Sequence, residues 1–449
     1  MQSATTRDSL YLDFTRSLCP VCKSLIDAEI LVRDNRVIMR KRCKEHGWFE
    51  ALLSSDADYF RWAQKFNKPG TLPASFATET KDGCPYDCGL CPEHQQHTCL
   101  GIIEVTENCN MRCPTCFANS SVGKSLSLSQ VEYMLDSFVK HEGNPEVVQF
   151  SGGEPSIHPQ IIEMIQAAKA RNIKLVMLNS NGIRIANDEE FVRKLASLGV
   201  YVYLQFDGFK KSTYENIRGE DVREIKERAL ANLEKYGVDT VLACTVQRGV
   251  NEDECGSVVD LAIERPFVRG AVFQPTFYAG RAPKFDPMDR VTLPDVTKAI
   301  AAQSKLGFEA SDFFPIPCCY PNCSAATYVY YEDGVATPLT RIVDHEDYMD
   351  YFSNRALPDS KTFTKRTGLE ALYSASAVPG SEKVIQGYCS VCDIPFNLED
   401  LAQKVKAIMI QPFMDAWNFD VKRLMKCCIG EIRPDGRVIP FCAYNNIYR

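Results

Sequence analysis

Between residues 101 and 275, short apolar runs alternate with longer stretches whose apolar positions recur every three to four residues. The short runs predict strands at 101–106, 147–150, 173–178, 200–206, 238–246 and 270–274. The longer stretches predict helices. Residues 129–140 carry Val131, Leu135 and Phe138 on one stripe, and residues 159–170 carry Ile161, Ile165 and Ala168. Further helices are predicted at roughly 188–198, 221–236 and 254–264. Strand and helix in strict alternation imply an α/β fold with a parallel sheet covered by helices. Upstream, residues 29–40 alternate in part, with Asp34-Asn35 placed to turn a hairpin. Downstream, residues 408–417 are largely apolar but interrupted by Pro412, which predicts core packing.

The chain has 449 residues, of which 45% are hydrophobic, enough for a substantial core and roughly two to four domains. Its formal charge of -7 gives no basis for a broad nucleic-acid surface. Residues 1–8 lack the apolar core of a secretory signal, and no apolar run approaches the ~20 residues needed to cross a bilayer. A cytoplasmic protein is expected, without exclusion of peripheral membrane contact. The 20 cysteines change the picture. They fall in tight runs, and adjacent pairs such as Cys318-Cys319 and Cys427-Cys428 argue against a disulfide framework. Metal ligation in a reducing compartment accounts for them better.

Cys19, Cys22, Cys43 and His46 form two knuckles that resemble a zinc ribbon or a rubredoxin-like hairpin, suited to one mononuclear zinc or iron. Cys84, Cys88 and Cys91, completed by Cys99, give four thiolates for a 4Fe–4S cluster, with zinc as the simpler alternative. Cys109, Cys113 and Cys116 follow the first predicted strand and supply only three thiolates, which leaves one iron of a cluster open. A third cluster is assigned to Cys318, Cys323, Cys428 and Cys442, with Cys319 and Cys427 as alternative ligands. Cys389 and Cys392 read as a free or packing dithiol, and Cys244 and Cys255 as small hydrophobes.

The spacing Cys109-x-x-x-Cys113-x-x-Cys116, with Gly152-Gly153-Glu154-Pro155 after the second strand, resembles the radical S-adenosylmethionine (radical SAM) superfamily. The resemblance implies a partial (β/α)6 barrel over residues 101–285. It adds an N-terminal zinc-ribbon/rubredoxin-like lobe over 1–75, an auxiliary cluster segment over 76–100, and a C-terminal iron–sulfur and substrate domain over 286–449. It implies three 4Fe–4S clusters and SAM, whose amino and carboxylate groups bind the open iron before reductive cleavage to a 5′-deoxyadenosyl radical. Gly152 and Gly153 would allow backbone approach to SAM, Glu154 would face its amino group, and Pro155 would fix the turn. Asn179 and Gln205 are expected on the SAM side. Asp207 is expected to touch ribose or substrate.

The whole cysteine series, with the PIPC loop at 315–318 and the terminal DGRVIPFCAYN segment, looks like archaeal tetraether lipid synthase and its pterin-methylating relatives. That likeness implies radical C–C bond formation at an unactivated sp3 carbon, on an apolar lipid tail first. Methylation of a small molecule such as a pterin precursor is the alternative. A reduced ferredoxin- or flavodoxin-like protein would supply electrons. A nonenzymatic iron–sulfur carrier would explain the cysteines but not the GGEP loop.

Overall fold

The structure is a computed structural model that describes residues 8–341 and 404–449, apart from residues 172, 317 and 318. Cys318, Cys389 and Cys392 therefore lie outside the described residues.

The six predicted strands are present as β5 (Leu100–Thr106), β6 (Val147–Gly152), β7 (Leu175–Ser180), β8 (Tyr201–Gln205), β9 (Thr240–Val246) and β10 (Val268–Pro275). All are parallel and lie side by side in chain order. Side-chain alternation sorts their residues into two faces. Val148, Phe150, Val176, Leu178, Val202 and Leu204 point outward and are fully buried with Val131, Leu135 and Phe138 of the helix Leu128–Glu142. Ser127 and Gln130 form a capping box that starts this helix at Leu128, one residue before the predicted start. The intervening residues, including Gln149, Met177, Tyr203, Ala243 and Val272, face a cavity inside the barrel.

Two strands that the sequence pattern did not predict extend this sheet. β14 (Val405–Ile410) runs parallel to β10, and β15 (Ile429–Ile432) runs parallel to β5. The apolar run before Pro412 is thus a sheet strand, and the proline follows its end. β11 (Phe314–Pro315), β12 (Ala325–Glu332), β13 (Val335–Pro338) and β16 (Val438–Pro440) complete a sheet of 12 strands among the described residues. The C-terminal segment therefore closes the barrel edges and supplies part of the cavity lining.

The N-terminal lobe is an antiparallel sheet in the order β1 (Leu10–Leu18), β2 (Leu25–Arg33), β3 (Arg36–Cys43), β4 (Gly47–Ser54). Asp34 and Asn35 make its central turn with φ of 50° and 54°, a left-handed pair these side chains tolerate. The lobe braces the segment after β14. Thr15 Oγ1 donates to Asp420 at 2.6 Å, and Lys41 Nζ donates to the Ala416 carbonyl at 2.7 Å.

Candidate functional site

Cys109, Cys113 and Cys116 sit on the loop after β5, at the carboxyl end of the barrel, and all three line the internal cavity. The loop is held from several sides. Cys116 exchanges two backbone hydrogen bonds with Arg281, at 2.7 and 2.9 Å. The Arg281 guanidinium donates to the Cys113 carbonyl at 2.6 Å and to the Ser120 carbonyl at 3.2 Å. Asn181 Nδ2 donates to Asn110 Oδ1 at 2.7 Å, tying the same loop to the end of β7. Burial pushes the Cys109 thiol up to about 11. Burial also raises Cys113, against the charge of Arg218 beside it. Cys109 and Cys113 are thus protonated near neutral pH, and metal binding there would displace protons.

The GGEP segment is built onto that loop. Gly153 N donates to the Thr106 carbonyl at 2.7 Å and Glu154 N to the Asn108 carbonyl at 2.9 Å. A Cβ on Gly152 would meet the Thr106 oxygen at 2.3 Å, and one on Gly153 would meet the Asn108 oxygen at 2.1 Å. The glycines are therefore required by loop-on-loop packing, in addition to any approach of SAM. Glu154 lines the cavity and also holds its neighbours in place. Its carboxylate is buried and accepts from Ser180 Oγ at 2.9 Å, Asn181 N at 2.7 Å and Ser156 N at 3.2 Å. It positions the β7 end, while Pro155 opens the 3-10 turn Pro155–Ile157.

Asp207 also differs from expectation. It is fully buried and touches no open space: Arg218 donates to it twice at 2.7 Å, Gln205 Nε2 at 2.8 Å and Thr245 N at 3.0 Å. Burial alone would raise its pKa, but the Arg218 charge and hydrogen bonds hold it below the usual carboxylate range. The group presented to the cavity is Arg218, steadied as well by Thr245 Oγ1 at 2.9 Å. Asn179 and Gln205 line the cavity, with Asn179 Nδ2 donating to Ser151 Oγ at 3.2 Å. Sequence reasoning missed Arg218 because the helix Lys211–Arg218 was not predicted. It missed Arg281 because nothing local marks a residue after the last strand as a loop staple.

The cavity has a volume of about 250 Å3 and runs from the three cysteines down the barrel to Cys319 and Cys428. Leu100, Val147, Met177, Val272 and Met409 make an apolar wall, and Phe117, Phe277, Phe413 and Phe441 pack together on one side.

Of the other cysteines, Cys19, Cys22, Cys43 and His46 place their ligand atoms within 4.8 Å of one another, a geometry suited to one tetrahedral metal. Cys84, Cys88 and Cys91 share a small cleft with Leu424 and Pro440. Cys99, expected to complete that run, packs instead with Cys319, Cys323 and Cys428. The cause is strand register: Leu100 N donates to the Cys428 carbonyl at 3.1 Å, which sets Cys99 and Cys428 at neighbouring strand starts. Arg423 is buried beside them, with Nη2 3.4 Å from Cys323 Sγ and with its Nε lacking a partner among the described residues. Its charge also acts on Cys442. A buried cation with an orphaned donor among thiols fits an anionic, sulfur-ligated group.

The description "Radical SAM superfamily" matches residues 103–262, and "HMPTM N-terminal zinc ribbon domain" matches residues 11–55. The chain is 34% identical to the 7,8-dihydro-6-hydroxymethylpterin dimethyltransferase of Methanocaldococcus jannaschii, over 97% of this chain and 94% of that one. It is 29% identical to the Fe-coproporphyrin III synthase of Methanosarcina barkeri over 41% of this chain and 45% of that one. Among solved structures, Streptococcus suis SuiB bound to precursor peptide SuiA aligns with a TM-score of 0.39 at 16% identity, covering 46% of this chain and 45% of SuiB. No helix among the described residues is long and apolar enough to cross a membrane. With the barrel, the three-cysteine loop and the GGEP turn in place, and with a relative matched from end to end, the chain belongs to the radical SAM superfamily and to the family of the pterin dimethyltransferase.

Proposed function

We propose that this protein is a radical SAM enzyme that methylates a small planar heterocycle of the pterin class. The observation that carries this reading is the end-to-end match to the pterin dimethyltransferase, across the zinc ribbon, the barrel and the C-terminal segment alike. Lipid-tail coupling, the first expectation from the sequence, has no comparable support.

Cys109, Cys113 and Cys116 would hold the 4Fe–4S cluster, which with SAM supplies a 5′-deoxyadenosyl radical able to attack a C–H bond. Arg218 presents a fixed positive charge beside Cys113, and Asp207 behind it keeps that charge oriented. Asn179 and Gln205 offer polar atoms at the rim. The apolar wall and the phenylalanine cluster exclude water from the reacting carbon. Two auxiliary clusters are assigned, one to Cys84, Cys88 and Cys91 and one to the group around Cys99, Cys323, Cys428 and Cys442. Cys318, the ligand assigned from the sequence, lies outside the described residues, and Cys319 and Cys427 are the alternative ligands there. The lobe at Cys19, Cys22, Cys43 and His46 holds zinc as a structural ion. Electrons come from a reduced ferredoxin- or flavodoxin-like protein.

Expression in an anaerobically grown host, which supplies the reductant and carbon donor, tests the reading by mass spectrometry of the pterin pool. Methylated hydroxymethylpterins should appear with the intact chain and vanish with Cys113→Ala. An unchanged pterin pool together with altered lipids would refute it.

A further inference from the structure

Most polar groups inside the barrel are engaged by protein partners. Gln205 donates to Asp207, Asn179 to Ser151, and Gln411 to the Cys323 carbonyl at 2.9 Å. Gln149 is the exception in the middle of β6. Its residue is 7% exposed, it lines the cavity, and its carboxamide has no hydrogen-bond partner among the described residues. It sits between Ile102 on β5 and Met177 on β7, in a wall that is otherwise apolar. Water in the open cavity can satisfy such a group. A ligand that displaces the water must replace those hydrogen bonds or lose affinity.

A hydrocarbon tail offers Gln149 nothing. A planar heterocycle with a lactam edge offers an acceptor carbonyl beside a donor N–H, which match the two ends of one carboxamide. A second polar pair reaches the same cavity from β8 and β10, where Gln274 Nε2 donates to the Tyr203 hydroxyl at 3.0 Å. That bond leaves the Tyr203 proton and the Gln274 carbonyl oxygen as further donor and acceptor capacity. The phenylalanine group supplies a surface for a flat ring.

We infer that Gln149 is a specificity-determining residue that reads the donor–acceptor edge of a planar nitrogen heterocycle, with Tyr203 and Gln274 as a second polar contact. This rests on the pterin reading above and adds to it the residue that distinguishes a pterin from an apolar chain.

The test uses the metal-loaded protein with 6-hydroxymethylpterin as the probe. Gln149→Leu should weaken pterin binding by about tenfold, the loss of roughly one well-made hydrogen bond. SAM affinity and iron content should stay unchanged, and the melting temperature should not fall, because the carboxamide has no partner to lose. Gln149→Glu, an acceptor only, should shift preference toward 2,4-diaminopteridine, whose edge is rich in donors. Undiminished pterin affinity in Gln149→Leu, a parallel loss of SAM binding, or no shift of preference in Gln149→Glu would overturn the assignment while leaving pterin methylation intact. A wild-type protein that binds no pterin but binds ether-lipid vesicles would overturn both.

Discussion

Replacing Asp207 by Asn isolates the ion pair on which the presentation of Arg218 depends. The carboxylate is 0% exposed and accepts four hydrogen bonds, two of them from Arg218 at 2.7 Å. Asn keeps one acceptor oxygen, turns the other position into a donor facing donors, and leaves a buried guanidinium without its counter-charge. Breaking one side of a buried pair costs about 3–5 kcal/mol. At about 2–4 °C per kcal/mol for a domain of this size, the barrel transition should fall by on the order of 10 °C. Differential scanning calorimetry on the intact protein measures it. The double variant Asp207→Asn/Arg218→Met should be less destabilised than the sum of its parts, since the stranded charge is gone. The pH dependence has a fixed sign. A carboxyl held below its unfolded pKa of about 3.9 stabilises above that value, and the contribution is lost as pH falls through the lower folded pKa. Additive single variants, or an Asp207→Asn protein melting within about 2 °C of wild type, would refute the reasoning.

Gly153→Ala should displace the cysteine loop, because its Cβ would meet the Asn108 oxygen at 2.1 Å. Reconstituted iron at the three-cysteine site, read by electron paramagnetic resonance, should drop while the N-terminal metal is retained. Lys406 is buried, and desolvation lowers its pKa to about 7. The unfolded chain therefore binds more protons between pH 7 and about 10.4, so stability should rise with pH there, by about 1.4 kcal/mol per unit at most. Lys406→Met should flatten that slope, and a slope unaffected by the substitution would contradict the assignment.

The barrel was legible because each of its strands is a short apolar run bounded by helical periodicity, and both signals are local. The cysteine loop was legible for the same reason. β14 and β15 were not, because their partners β10 and β5 lie more than a hundred residues away and only tertiary pairing marks them as sheet. Cys99 illustrates the limit of spacing: proximity in sequence to Cys84–Cys91 suggested one cluster, and strand register delivered it to another group. Residue type in the loops drew attention to Glu154 and Asp207, but not to the hydrogen bonds by which each holds other residues in place, Glu154 from the cavity wall and Asp207 from behind it. The group that Asp207 orients, Arg218, ends a helix whose polar sequence gave little sign of it. Gln149 is one polar letter inside the apolar run Val147-Val148-Gln149-Phe150, and only the inward face of β6 gives it meaning.

The central claim is that the three-cysteine loop supports reductive cleavage of SAM. Anaerobic protein reconstituted with iron and sulfide, then supplied with SAM and a low-potential reductant, should yield 5′-deoxyadenosine by liquid chromatography. Cys113→Ala, with its other metal centres verified spectroscopically, should yield none. Equal yields from both proteins, or none from a wild-type protein whose clusters are demonstrably intact and reduced, would contradict the account.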